Sequence, residues 1–124
     1  MIKYLLLLAI LIISRLASAH NNVGQQKRIL SLDHSARIEV RKMQEYIRFN
    51  EFEYIQIKKL TELKLQEVEQ ARQTYATDFT ALQLKLNQVE QNYKLVVSSY
   101  LNDTQKTAFA AYSSHTIQHE FAVQ

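Results

Sequence analysis

The chain has 124 residues, with 15 lysine and arginine residues against 12 aspartate and glutamate residues, a single glycine, and neither proline nor cysteine. The lack of cysteine excludes disulfide and thiolate chemistry, and one glycine disfavours β-hairpin folds and the glycine-rich loops that hold phosphates. A composition rich in Gln, Leu, Glu, Lys and Ala, without internal helix breakers, predicts an all-α fold.

The first 19 residues have the order of a secretory signal peptide. Lys3 supplies the positive charge, residues 5–13 form an unbroken apolar run, and Ala17 and Ala19 are small residues at the positions that a signal peptidase reads. A retained anchor is the weaker alternative, because the run is about half of the ~20 residues that a spanning helix needs. We therefore expect cleavage after Ala19, secretion and no stable membrane insertion after cleavage.

Cleavage would leave residues 20–124, enough for one small hydrophobic core. The signal carries two basic residues, Lys3 and Arg15, so 13 basic and 12 acidic residues would remain, a net charge of +1. So small an excess does not indicate nucleic-acid binding. Residues 20–32 are polar and are expected to form a flexible segment, followed by a helical domain over residues 33–124.

The spacing of apolar residues predicts four helices in that domain. The first starts near residue 33 or 35 and ends near 48, and the second covers 51–75. After a turn at 76–78, the third carries apolar residues at alternating spacings of three and four: Phe79, Leu82, Leu86, Val89, Tyr93, Val96 and Tyr100. The fourth begins at 102–103. Because their connection is short, the second and third helices should form a long antiparallel hairpin.

One short pattern occurs twice, 52 residues apart: Phe49-Asn50-Glu51-Phe52-Glu53 and Leu101-Asn102-Asp103-Thr104-Gln105. Asparagine suits the N-cap of a helix, and Glu or Gln at the third helical position can reach back to the cap N–H, which together make a capping box. The preceding apolar residue suits a hydrophobic staple. At the same interval Met43 matches Leu95 and Ile57 matches Phe109, which predicts a helix–corner–helix unit used twice.

Two Leu-Thr-x-x-Gln motifs, each opening a helix, characterise the Spy/CpxP family of small periplasmic proteins. The sequence resembles that family over about residues 35–121, and it is also similar to uncharacterised secreted proteins of this kind in the Bacteroidetes. Its motifs differ, with Asn50 and Asn102 in place of Thr, Phe49 in place of Leu and Glu53 in place of Gln.

The resemblance implies a homodimeric, ATP-independent chaperone or envelope-stress protein that binds exposed apolar segments of unfolded clients. One alternative is a regulatory or metal-responsive module that docks on an extracytoplasmic sensor domain. Another is a structural helical protein with one fixed partner.

The first half of the second predicted helix carries more apolar surface than one layer of packing can bury. Such a surplus is typical of a protein–protein surface. The predicted client or dimer surface comprises Tyr46, Phe52, Ile55 and Leu63, with Ile38 and Phe49 as further candidates, beside the basic residues Arg48, Lys58 and Lys59.

His115 and His119 lie four residues apart, so they share one face of the fourth predicted helix. A tight zinc site needs three or four ligands, and no other histidine is close in sequence, so solvated surface histidines are the favoured interpretation. The chain contains no nucleophile motif and no H-E-x-x-H pattern. We therefore predict neither catalytic residues nor a cofactor.

Overall fold

The computed structural model of the chain describes the backbone of residues 2–121 and the side chains of residues 23–115. Four helices cover this range: α1 (Ile2–Tyr46), α2 (Glu51–Thr74), α3 (Phe79–Ser99) and α4 (Asp103–Phe121). Among these residues there is no strand, so the predicted all-α fold is confirmed.

The chain divides into two compact units, Met1–Leu32 and Asp33–Gln124. In the first unit residues 20–32, for which the sequence predicts a flexible segment, are helical and belong to α1. The predicted start of the first helix near residue 33 or 35 is therefore wrong. No proline interrupts residues 20–32, and Gly24 within a helix costs only about 1 kcal/mol relative to alanine. None of the helices, within the residues described, is long and apolar enough to cross a membrane.

In the second unit α2 and α3 pack against each other and run antiparallel. The ring of Phe52 lies 6.4 Å from that of Tyr100, and Thr61, further along α2, meets Tyr93, which is earlier on α3. The turn between the helices ends at Asp78, whose carboxylate accepts a hydrogen bond of 2.9 Å from the backbone N–H of Ala81. This N-cap confirms the predicted position of the turn.

The hydrophobic core contains side chains from all four helices. It also contains side chains from the two corners, which are the connection between α1 and α2 and the connection between α3 and α4. Four buried residues at the end of α1 and just beyond it are spaced four, three and four residues apart, which places them on one side of the helix: Ala36, Val40, Met43 and Ile47. The buried cluster consists of Val40, Met43, Ile47, Phe49, Ile57, Tyr93, Val97, Leu101 and Phe109.

The contact line of α3 departs from the predicted seam near its end. Val97 is fully buried, whereas Val96 is 41% exposed, and burial continues with Leu101 rather than Tyr100. From Val89 onwards the buried line advances by four residues at each step, through Tyr93 and Val97 to Leu101. Because a helix has 3.6 residues per turn, each step of four turns the line by about 40° around the helix, away from the predicted seam.

A polar group lies inside this core and is fully satisfied. The hydroxyl of Thr61 donates to the carbonyl of Ile57 at 2.8 Å, so its oxygen accepts from the Tyr93 hydroxyl, also at 2.8 Å. Burial raises the pKa of the Tyr93 phenol far above its ordinary value, which keeps it a donor. The ammonium of Lys64 lies 4.4 Å from the centre of the Tyr93 ring and is hydrogen-bonded to Glu39 of α1.

We predict that Thr61→Val lowers the free energy of unfolding by about 1–3 kcal/mol, because the buried Tyr93 hydroxyl loses its acceptor. Tyr93→Phe should cost less, since Thr61 keeps its bond to Ile57. Combining both substitutions should restore part of the stability lost in Thr61→Val. Urea unfolding followed by circular dichroism measures all three, and equal losses for the two single variants would contradict the assignment of donor and acceptor.

Candidate functional site

The first predicted capping box is present at the start of α2. The backbone N–H of Glu53 donates to the side-chain oxygen of Asn50, and the backbone N–H of Asn50 donates to the Glu53 carboxylate, both at 2.9 Å. Two N–H groups that a helix start leaves without intrahelical partners are thereby satisfied.

The second predicted box is present at the start of α4 with the same geometry. Asn102 accepts from the backbone N–H of Gln105, and the Gln105 side-chain oxygen accepts from the backbone N–H of Asn102, again both at 2.9 Å. The acidic residue at the first helical position, Glu51 in α2 and Asp103 in α4, suits the positive end of the helix dipole.

The two boxes are bonded to each other through the amide group of Gln105. Its nitrogen donates at 2.8 Å to the Glu53 carboxylate and at 2.8 Å to the backbone carbonyl of Arg48. The same carboxylate oxygen of Glu53 also accepts from Asn50. One side chain of α4 thus ties together the corner before α2, the first turn of α2 and its own cap.

The sequence contained a signal for this contact that periodicity does not detect. An ionised carboxylate only accepts hydrogen bonds, whereas an amide both donates and accepts. Glu53 and Gln105 occupy equivalent positions in the two boxes, so the pair is complementary where two glutamates would repel each other. Only the folded chain brings these positions, 52 residues apart, into contact.

The repeat covers fewer equivalent positions than the sequence predicts. Ile57 and Phe109 are both buried, but Met43 is buried while Leu95 is 74% exposed. The incoming helices differ, since α1 ends four residues before Asn50, whereas α3 ends three residues before the equivalent residue Asn102. The equivalence therefore holds for the corner and the helix after it, and not for the helix before it.

The apolar residues before the caps are buried, as staples require, but only one corner has an apolar partner at the fourth helical position. Phe49 lies in the core, against which Tyr54 is packed. Because it is buried, Phe49 does not belong to the candidate surface. In the second corner the fourth helical residue is Lys106, which is exposed, and Leu101 packs into the core instead.

Most of the predicted surface residues of α2 do lie at the surface. Phe52, Ile55 and Leu63 are 62%, 42% and 54% exposed. Together with Lys59 they follow spacings of three, four and four residues, so the four side chains share one face of the helix. That face points away from the buried side of α2, which Ile57 and Thr61 occupy.

The neighbouring helix α3 extends this surface. Tyr100 and Val96 lie four residues apart, both are partly exposed, and the Tyr100 ring is 6.4 Å from that of Phe52. Both residues were predicted to belong to the buried seam. We call the resulting surface the open face: Phe52, Ile55, Lys59 and Leu63 of α2, with Val96 of α3 and Tyr100, which caps the end of α3.

Two other surface candidates lie on α1. Tyr46 is exposed, and its ring centre is 5.5 Å from that of Tyr112 of α4. Tyr46 therefore belongs to a contact between α1 and α4. Ile38, the further candidate, is 45% exposed.

Of the three predicted basic residues, two are exposed and one is engaged. Arg48 and Lys59 are exposed. Lys58 is half-buried between the carboxylates of Asp33 and Glu62, which neutralise its charge. The hydrogen bond from Lys58 lowers the pKa of Asp33. Because Lys58 is engaged in this ion pair, which joins α2 to α1, it does not contribute a cation to the surface.

The predicted histidine pair is described only in part. His115 lies exposed on α4, and the side chain of His119 is outside the described residues. Among the side chains that are described, no group of three or more His, Asp or Glu residues is arranged to hold a metal ion.

Comparison with known proteins found no matching family model, no matching curated protein and no matching solved structure.

The bonded boxes predict unequal effects for two isosteric substitutions. Gln105→Glu removes both bonds of the amide nitrogen and places a carboxylate beside Glu53, which should cost about 1–3 kcal/mol of stability near pH 7. Glu53→Gln keeps an oxygen that accepts from Asn50 and Gln105, and should cost less than about 1 kcal/mol. Thermal and urea unfolding measure both changes.

The double variant Glu53→Gln with Gln105→Glu provides the control. It removes the like-charge contact, so it should be more stable than Gln105→Glu alone. The loss in Gln105→Glu should also diminish as the pH falls to about 4, because a neighbouring carboxylate raises a carboxyl pKa and one shared proton relieves the repulsion. Equal losses for the two single variants would show that the boxes do not interact.

Proposed function

We propose that the protein is a secreted, periplasmic, Spy/CpxP-like chaperone or envelope-stress protein that works without ATP and without catalytic chemistry. It binds exposed apolar segments of unfolded or partly folded clients on the open face. The observation that carries the proposal is the contact between Phe52 and Tyr100, which joins the apolar residues of α2 and α3 into one exposed surface.

The chemistry of the open face suits loose binding of unfolded chains. Exposed aromatic and aliphatic side chains offer non-directional contacts, each contributing about 1.5–3 kcal/mol when fully buried. Lys59 lies within the apolar row, and its charge is available to acidic residues of a client. Such contacts are weak singly and do not require one particular sequence.

The linked capping boxes explain how so small a domain can keep apolar side chains exposed. Phe52 is at the second position of α2, between the cap residue Asn50 and Glu53, which Gln105 binds. The first turn of α2 is therefore held by hydrogen bonds as well as by burial. Phe52 can remain exposed without the turn unwinding.

We predict that the protein suppresses aggregation of a chemically denatured model protein at stoichiometric amounts. Replacing Phe52 and Ile55 together by Asp should raise the concentration needed by about tenfold or more, because two apolar contacts are lost. Light scattering measures the effect. Circular dichroism should show unchanged helix content, since both side chains are exposed in the native chain.

A matched control is available at the other end of the hairpin. Phe79 and Leu84 are 73% and 67% exposed, but they lie five residues apart and do not share a face. Phe79 is about 30 Å along α3 from Tyr100. Replacing both by Asp makes the same chemical change, including an acidic residue in a first helical turn, and should leave suppression unchanged. Equal loss in both double variants would refute a localised client surface.

Secretion gives a separate prediction. Bacteria expressing the full chain should release a protein that begins at His20, as determined by the intact mass of the periplasmic product. Replacing Ala17 and Ala19 by larger residues should block processing. Recovery of the uncut chain from the membrane fraction of the unaltered protein would contradict the proposed localisation.

A further inference from the structure

Two tyrosine rings from different helices are in contact near the first corner. The ring centre of Tyr46, the last residue of α1, is 5.5 Å from that of Tyr112 of α4, and the ring planes are tilted by 47°. This separation lies within the range of direct aromatic contact. Tyr46 is 66% exposed, whereas Tyr112 is half-buried and packs against the hydrophobic core. The pair therefore joins a solvent-accessible phenol to one that the fold holds in place.

Tyrosine is the side chain that a one-electron oxidant in solution meets first on this chain. The sequence contains no cysteine and no tryptophan. Met43, the methionine among the described side chains, is 1% exposed and so is shielded from oxidants. Of the tyrosines whose side chains are described, Tyr46 and Tyr100 are the exposed ones, at 66% and 37%. Oxidation should therefore begin at these two phenols.

The two exposed tyrosines have different ring neighbours. Tyr100 lies against Phe52, with ring centres 6.4 Å apart. Phenylalanine has no hydroxyl and forms no phenoxyl radical, so Tyr100 has no coupling partner in that contact. Tyr46 lies against a second phenol, Tyr112. The fold thus places Tyr46 for coupling within the chain, and Tyr100 is its internal control.

We propose that Tyr46 and Tyr112 form a site of oxidative cross-linking, which hydrogen peroxide and a haem peroxidase convert to dityrosine. Each phenol gives up one electron and one proton, and the two phenoxyl radicals combine in a carbon–carbon bond between ring carbons adjacent to the hydroxyls. The hydrogens displaced from those carbons move as protons to the phenolic oxygens, which restores both hydroxyls. The peroxide takes up the two electrons and two protons and leaves as two molecules of water.

The new bond would enclose both linked capping boxes in one covalent loop. Tyr46 precedes the corner at Asn50 and Tyr112 follows the corner at Asn102, so the two tyrosines are 66 residues apart in the chain. Closing a long loop restricts the unfolded chain and stabilises the fold, as a disulfide does. A chain without cysteine cannot form a disulfide, and thiols do not cleave a carbon–carbon bond. The tyrosine pair therefore gives this small domain a permanent staple under oxidising conditions.

Peroxidase treatment tests the site. The protein secreted from the full-length gene, kept dilute and treated with hydrogen peroxide and a haem peroxidase, should give a monomer that is lighter by two hydrogen atoms and shows dityrosine fluorescence. Peptide mapping by mass spectrometry should place the bond between Tyr46 and Tyr112. Tyr46→Phe and Tyr112→Phe should each abolish this product, whereas Tyr100→Phe should leave its yield unchanged. Linked dimers as the main product, or the same monomeric product in Tyr46→Phe, would overturn the proposal.

Unfolding separates the contact from the intrinsic reactivity of the two phenols. In concentrated urea the rings of Tyr46 and Tyr112 are no longer held together, so their product should give way to a mixture of tyrosine pairs. A Tyr46–Tyr112 yield in urea equal to that of the folded chain would overturn the proposal, because the fold would then not select the pair.

Thermal unfolding tests the stapling role. The purified cross-linked chain should unfold about 10 °C or more above the untreated chain, because the closed loop is long. Tyr46→Phe that has received the same oxidant is the matched control and should show no gain. Dithiothreitol should leave the gain intact. A cross-linked chain that is no more stable than this control would overturn the stapling role.

Discussion

The amide group of Gln105 is the contact on which the arrangement of the helices depends. It completes the cap of α4 through its oxygen, and through its nitrogen it binds the Glu53 carboxylate and the Arg48 carbonyl. Capping boxes ordinarily specify where one helix begins. Here a direct bond between two boxes also specifies where two helices begin relative to each other.

The core is organised around this pair of corners. Phe49 and Leu101, the residues immediately before the two cap asparagines, are both buried in the same cluster as Ile57 and Phe109. Within that cluster Tyr93 adds a directional contact, because its buried hydroxyl needs the acceptor that Thr61 supplies. Hydrogen bonds at the corners and in the core therefore restrict how far α2 and α3 can slide.

The same restriction leaves apolar residues at the surface. Once Ile57 and Thr61 face the core, Phe52, Ile55 and Leu63 must face away from it, and no further layer covers them among the side chains of residues 23–115. The proposed client binding uses these exposed apolar residues.

Local composition, cap chemistry and helical period are enough to predict the helical class, the turn at Asp78, both capping boxes and the exposure of Phe52, Ile55 and Leu63. Three other features become visible only in the folded chain: Val97 is buried instead of Val96, Lys58 is neutralised by Asp33, and Gln105 bonds to Glu53. The reason is that each of these depends on side chains distant in sequence, whose positions result from the packing of whole helices and leave no trace in a local pattern.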